Sequence, residues 1–202
     1  MKVNCLDIEL AIMGSYKIRS TIIVPNVTEI SGLVSFEADV LAVTNSGYAH
    51  CYEIKVSRSD LLADFKKKHH ARINEVFYNG KTGIELYFGR LKYFSYAVPD
   101  SLKDVALEKI PAFAGLYLYK PGNYPDIPKF WQERAPQKLF DKKWTDKELA
   151  NLGRLAAMRL PSLMGAIKSL KQTLEHYRNE TKEENAEVIG NIHENPELLT
   201  LL

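Results

Sequence analysis

Cysteine is nearly absent from this chain. Cys5 and Cys51 are the only two in 202 residues, so neither a disulfide framework nor a cysteine-rich zinc site is credible. No apolar run is long enough to span a bilayer, and no basic segment followed by an apolar one marks a secretory leader. An overall excess of one charge is missing too: 27 Lys and Arg stand against 25 Asp and Glu, a formal net charge of +2. That balance conceals an asymmetry. Residues 179–202 carry six glutamates and one lysine, a net −5, which leaves +7 on the rest. A basic body suits a phosphate-binding face, but an excess of this size also occurs in proteins that bind no nucleic acid. Hydrophobic residues are plentiful at 46%, enough for one substantial core. The expectation is a compact cytoplasmic protein with no membrane partner.

The most informative charges lie inside two apolar runs. Ser35-Phe36-Glu37-Ala38-Asp39-Val40-Leu41-Ala42-Val43 and Tyr48-Ala49-His50-Cys51-Tyr52-Glu53-Ile54-Lys55-Val56 are rich in β-branched and aromatic residues and are separated by Thr44-Asn45-Ser46-Gly47. This predicts a β-hairpin. With Gly47 left-handed at the end of a three-residue loop, Thr44 faces Tyr48, Asp39 faces Glu53 and Glu37 faces Lys55, all on one face. Like charges directly opposite each other repel, and buried carboxylates need a partner cation, a metal or a raised pKa. Hard oxygen ligands on a partly open site suit Mg²⁺ or Mn²⁺. A lysine two residues on can orient water against a phosphate. The bland alternative is a structural ion pair that locks the hairpin register.

Asp39 with Glu53-Ile54-Lys55 resembles the D…ExK signature of the PD-(D/E)XK nuclease superfamily. A longer set resembles its MmcB-like DNA-repair and phage-associated branch: Ile23-Val24-Pro25-Asn26-Val27, Glu37-Ala38-Asp39, Tyr52-Glu53-Ile54-Lys55-Val56-Ser57, Asp60, Asp64, Lys67 and His69, with Tyr96-Ala97-Val98-Pro99 and Ala114-Gly115-Leu116 further on. The similarity runs from about residue 6 to 119. Ala38 stands where the superfamily name places proline. The resemblance implies an α/β fold, a restriction-endonuclease-like mixed β-sheet flanked by helices. It further implies a metal held by Asp39, Glu53 and the carbonyl of Ile54, catalysis by Asp39, Glu53 and Lys55, and DNA as partner. Glu9 is the candidate for an additional acid from the first helix, against the alternative of an ordinary exposed helical glutamate.

The rest of the chain supplies the frame. Leu6, Ile8, Leu10, Ala11 and Ile12 predict a helix stopped by Gly14, and Thr21-Ile22-Ile23-Val24 a strand that Pro25 confines to an edge or an end. Ser57 followed by Asp60 opens a helix reaching about Lys68. A second hairpin is expected at 77–88, then a strand at 93–98, a helix at 101–109 and a strand at 114–119. The expected organisation is a nuclease-like core at 1–120, an irregular, proline-broken connector at 121–144, C-terminal helices at 145–178 and an acidic, flexible tail at 179–202. One helix is expected to carry Leu149, Leu152, Leu155 and Ala156, and Pro161 to begin a second.

Asp60 and Asp64 with Lys67 or Lys68 have the spacing of a solvated, salt-bridged helix face. The run Lys66, Lys67, Lys68, His69, with His70 and Arg72, is denser than that needs and reads as a phosphate-backbone contact at a helix C-terminus. Adjacent histidines point apart, which argues against zinc ligation by His69 and His70. The sequence thus points to a metal-dependent DNA nuclease or nuclease-like repair protein. The alternatives are a catalytically inactive DNA-binding repair module and, third, an interaction scaffold built on the C-terminal helices, with homo-oligomerisation open.

Overall fold

Alternating side chains and short turns between apolar runs dictate the sheet, which was analysed in a computed structural model describing residues 3–27, 36–65, 90–122 and 127–194. The second hairpin expected at 77–88 and the basic run Lys66, Lys67, Lys68, His69 and Arg72 lie outside the described residues. Helix α1 (Cys5–Ser15) opens on a reciprocal cap. The Asn4 side chain accepts from the Asp7 N–H at 3.0 Å, and the Asp7 carboxylate accepts from the Asn4 N–H at 2.9 Å. Ile8 and Ile12, one turn apart, are buried. The helix runs one residue past Gly14 and closes with the Ser15 hydroxyl donating to the Ile12 carbonyl at 2.7 Å.

Strands β1 (Thr21–Val27), β2 (Ala38–Thr44), β3 (Ala49–Ile54), β4 (Leu91–Pro99), β5 (Gly115–Lys120) and β6 (Lys129–Arg134) make one six-stranded sheet in chain order. The β3–β4 and β4–β5 pairs are parallel and the others antiparallel, so the sheet is mixed. Pro25 lies within β1, where an edge strand tolerates a missing N–H. The β2–β3 register is the one the turn predicts: Val40 faces Tyr52, Leu41 Cys51, Ala42 His50 and Val43 Ala49. Gly47, at φ +81°, supplies the left-handed residue of the turn.

Helix α1 covers one face, with Ile8 and Ile12 packed among Val40, Tyr52, Ile54, Ala97 and Tyr119. Helix α2 (Arg58–Asp64) is capped by Ser57, whose hydroxyl accepts from the Asp60 N–H at 3.2 Å. It contacts helix α3 (Lys103–Lys109), which lies between β4 and β5 and packs on both.

Two expectations are corrected in the C-terminal part. Residues 129–134 of the supposed connector form β6, and 121–155 belong with 1–120 in one compact unit, residues 1–155. Edge strand β6 is mostly exposed, so it carries no apolar alternation to read. It is held by main-chain pairing to β5, by Phe130 stacked on Tyr117 at 5.4 Å, and by Arg134 donating to the carbonyls of Ile110, Pro111 and Ala114. Trp144 is buried, donating from its main-chain N–H to the Gly47 carbonyl at 2.8 Å and from its indole to the Arg90 carbonyl.

The second correction concerns the helices. A single helix, α4 (Asp146–Glu194), runs through both expected helices and on into the expected tail as far as residue 194, with Pro161 inside it. Proline removes the N–H that would bond the Ala157 carbonyl, but helix-forming neighbours on both sides carry the helix through. Residues 156–202 count as a second unit. Among the described residues no helix is long and apolar enough to cross a membrane.

Candidate functional site

Asp39 and Glu53 come together because the hairpin pairs them. Hydrogen-bonded pairs alternate from Thr44 and Tyr48 through Ala42 and His50 to Val40 and Tyr52, so the next bonded pair would join Ile54 to Ala38. Instead the Ile54 N–H donates to the Asp39 carboxylate at 2.6 Å. Asp39 thereby ends the ladder and is fixed beside the last turn of β3. Asn26, between the paired residues Pro25 and Val27, falls opposite Asp39 at a left-handed φ of 50°, a conformation asparagine tolerates.

Lys55, immediately after β3, is buried. Its Nζ lies 2.7 Å from Glu53 Oε1 and 3.3 Å from Asp64 Oδ1. The expectation that Asp64 sits on a solvated salt-bridged surface is therefore wrong: Asp64 is buried at the end of α2 and reaches back to the hairpin. The signal was available, since Asp64 follows the core residue Leu61 by three and shares its helix face. Glu37, which the extended register sets opposite Lys55, is exposed.

The Lys55 ammonium is held by two carboxylates, Glu53 and Asp64, and Asp39 stands close enough for its charge to act on Glu53. Burial, then the charge of Asp39, pushes the Glu53 carboxyl up to about 7, against the pull of Lys55. Asp39 is also raised by burial, partly offset by the Ile54 N–H and Lys55. Burial works to discharge Lys55, but Glu53, Asp64 and Asp60 outweigh it and raise its pKa. Glu9 of α1 is half-buried, and its charge acts with those of Asp39 and Lys55 on the Cys5 thiol, which partial burial first and then Asp39 push up to about 11.

Among the described residues no group of three or more His, Cys, Asp and Glu side chains is placed to hold a metal ion. The candidate donor set is two carboxylates, Asp39 and Glu53, with the main-chain oxygen of Ile54. Its hard oxygen donors fit Mg²⁺ or Mn²⁺.

Sequence reasoning missed a second polar cluster on the opposite face of β3. The Tyr16 hydroxyl lies 3.1 Å from His50 Nδ1 and 2.7 Å from the Tyr52 hydroxyl, and His50 Nε2 lies 2.8 Å from Ser95 Oγ. The proton order that keeps the imidazole neutral has Tyr52 donating to Tyr16, Tyr16 to Nδ1, and Nε2–H to Ser95. Burial lowers the His50 pKa to about 3, consistent with that order. His50 stacks on Tyr52 at 4.1 Å, and Tyr117 meets the Tyr52 ring edge-on at 5.4 Å. Phe94 and Tyr96 are core residues of β4.

No family model and no curated protein matches the chain. A solved structure described as the SPO1766 protein of unknown function from Silicibacter pomeroyi is similar, with 16% identity, a TM-score of 0.49, and coverage of 83% of this chain and 94% of that one.

Proposed function

We propose that the chain is a metal-dependent DNA nuclease or nuclease-like DNA-processing protein of the cytoplasm, with Asp39, Glu53 and Lys55 as its working residues. The observation that carries this reading is the buried cluster in which the Asp39 carboxylate caps the end of β3 and Lys55 lies against Glu53. Asp39, Glu53 and the carbonyl of Ile54 would hold a Mg²⁺ or Mn²⁺ ion. When bound, the ion supplies Lewis-acid activation of water and charge stabilisation at a scissile phosphate. The chain's own contribution is preorganisation. The Ile54 N–H fixes Asp39, while Glu53 and Asp64 hold Lys55 charged at the same end of the sheet, where its ammonium can orient the attacking water and meet charge developing on the phosphate. Glu9 would add an acid from α1, and Lys66, Lys67, Lys68, His69 and Arg72 would grip the phosphate backbone.

The test is incubation of purified protein with single-stranded, double-stranded and branched DNA, with and without Mg²⁺ or Mn²⁺. Metal-dependent cleavage is expected, and Lys55→Ala should lower its rate by about 10²- to 10³-fold while keeping most DNA affinity. Lys67→Ala with Lys68→Ala should instead weaken binding and flatten its salt dependence.

One observation favours the silent DNA-binding alternative. Glu53 Oε1 is engaged by Lys55 at 2.7 Å, an internal neutralisation that needs no metal. If no DNA or RNA is cut under any divalent ion while the double lysine variant still loses binding, that alternative replaces the nuclease.

A further inference from the structure

Beyond residue 155 the described chain is helix, and its large apolar residues have no cover within that segment. Leu160, Leu163, Ile167, Leu170, Leu174 and Tyr177 are between 53% and 67% exposed. They follow one another at alternating intervals of three and four, a heptad pattern with a period of 3.5. On a lone helix such a stripe drifts slowly around the axis. It stays in contact over several turns only when two helices supercoil around each other. Ser162, Lys168, Ser169, Gln172, Glu175 and Asn179 populate the other positions, giving a polar outer surface broken by Met158.

We propose that residues 160–177 form the seam of an antiparallel two-helix coiled coil with a second copy of this chain. At roughly 60–100 Å² of apolar surface per side chain, the six residues offer about 500 Å² per copy. Pairing two copies covers about 1,000 Å² before Met164 and the stems of Lys171 and Arg178 are added, which reaches the range where specific interfaces begin. The helix dipoles select the direction, since they lie parallel and repel in a parallel pair but oppose and cancel in an antiparallel one. Antiparallel pairing centred between Lys168 and Ser169 layers Leu160 on Tyr177, Leu163 on Leu174 and Ile167 on Leu170.

Sedimentation equilibrium of the full chain tests this. A dimer is expected in the micromolar range, and Ile167→Glu with Leu170→Glu should raise the dissociation constant by roughly a hundredfold or more, because two aliphatic side chains per copy leave the seam. Near-ultraviolet circular dichroism should show that the sheet unit of that variant is unchanged. Direction is read from a cross-link: in a Cys5→Ser background, Leu163→Cys alone should form no disulfide-linked dimer on oxidation, and adding Leu174→Cys should produce one. Asp39→Asn should leave assembly untouched, which separates this proposal from the metal-site reading. A monomeric parent chain, or a dimer that survives Ile167→Glu with Leu170→Glu, overturns the seam. A disulfide-linked dimer of Leu163→Cys alone overturns the antiparallel register.

Discussion

Alternate residues of β3 point to opposite faces of the sheet, and the polar side chains on the two faces are handled in opposite ways. On one, the Lys55 ammonium pairs with both Glu53 and Asp64, and Asp39 is held beside them by the Ile54 N–H. On the other, His50 and Tyr52 belong to a chain of neutral hydroxyls and an imidazole ending on Ser95. On the first, burial and the neighbouring carboxylates raise the pKa of Glu53, while the second is a neutral network. Carboxylates gathered in one buried place take up a proton or a cation more readily than neutral hydroxyls do. The difference teaches where chemistry is to be sought: on the face that gathers the carboxylates.

The largest effect should come from removing the buried ammonium of the charged face. Lys55→Ala leaves Glu53, Asp64 and Asp39 facing one another, and a loss of about 3–5 kcal/mol is expected from denaturant unfolding at neutral pH. Addition of Mg²⁺ or Mn²⁺ should recover part of it. In the parent, a divalent ion at a hundred times its dissociation constant should add about 2.7 kcal/mol. Asp39→Asn should abolish that gain, and an ion-dependent rise in melting temperature that survives Asp39→Asn would remove Asp39 from the ligand set.

The faces should also respond to pH with opposite slopes. Glu53 titrates near 4.5 when unfolded and about 7 when folded. The folded state therefore holds a proton that the unfolded state has lost, and this contribution to stability is full below 4.5 and declines as pH rises through 7. His50 moves the other way, from 6.5 to about 3, so its contribution is full above 6.5 and is lost as pH falls toward 3. Glu53→Gln should raise the melting temperature above pH 7 relative to the parent and remove the falling limb. His50→Gln should flatten the acid side below pH 6.5. Melting curves from pH 4 to 8 read both, and parallel shifts without a change of slope would break the contrast.

The smallest effect belongs to the neutral face. Tyr16→Phe removes the hydroxyl between Tyr52 and His50 while keeping the ring, and a cost of about 1–3 kcal/mol is expected. Metal response and cleavage should be unchanged. Gly115 marks how tightly that face is built, since a Cβ there would meet Ser95 Oγ and come within 2.9 Å of Pro136 Cδ.

The hairpin was legible in the sequence because its causes are local. A period of two along the strands and Asn45-Ser46-Gly47 between them fix the register, and the register alone sets Asp39 opposite Glu53. Capping at Asn4 and Ser57 was local too, and Ser57 was read correctly. Other features were decided only by tertiary structure. Asp64 joins Lys55 across α2, and Tyr16 and Ser95 converge on His50 from separate elements. The edge strand β6 forms because β5 offers unpaired main-chain groups, and Trp144 finds its place under the turn at Gly47. Pro161 marks the converse case, a local signal for a helix start that its surroundings overrode. Periodicity and turn chemistry act over a few residues and leave a pattern in the chain. Charge pairing, desolvation and edge pairing depend on groups distant in sequence, and these exist only once the sheet has assembled.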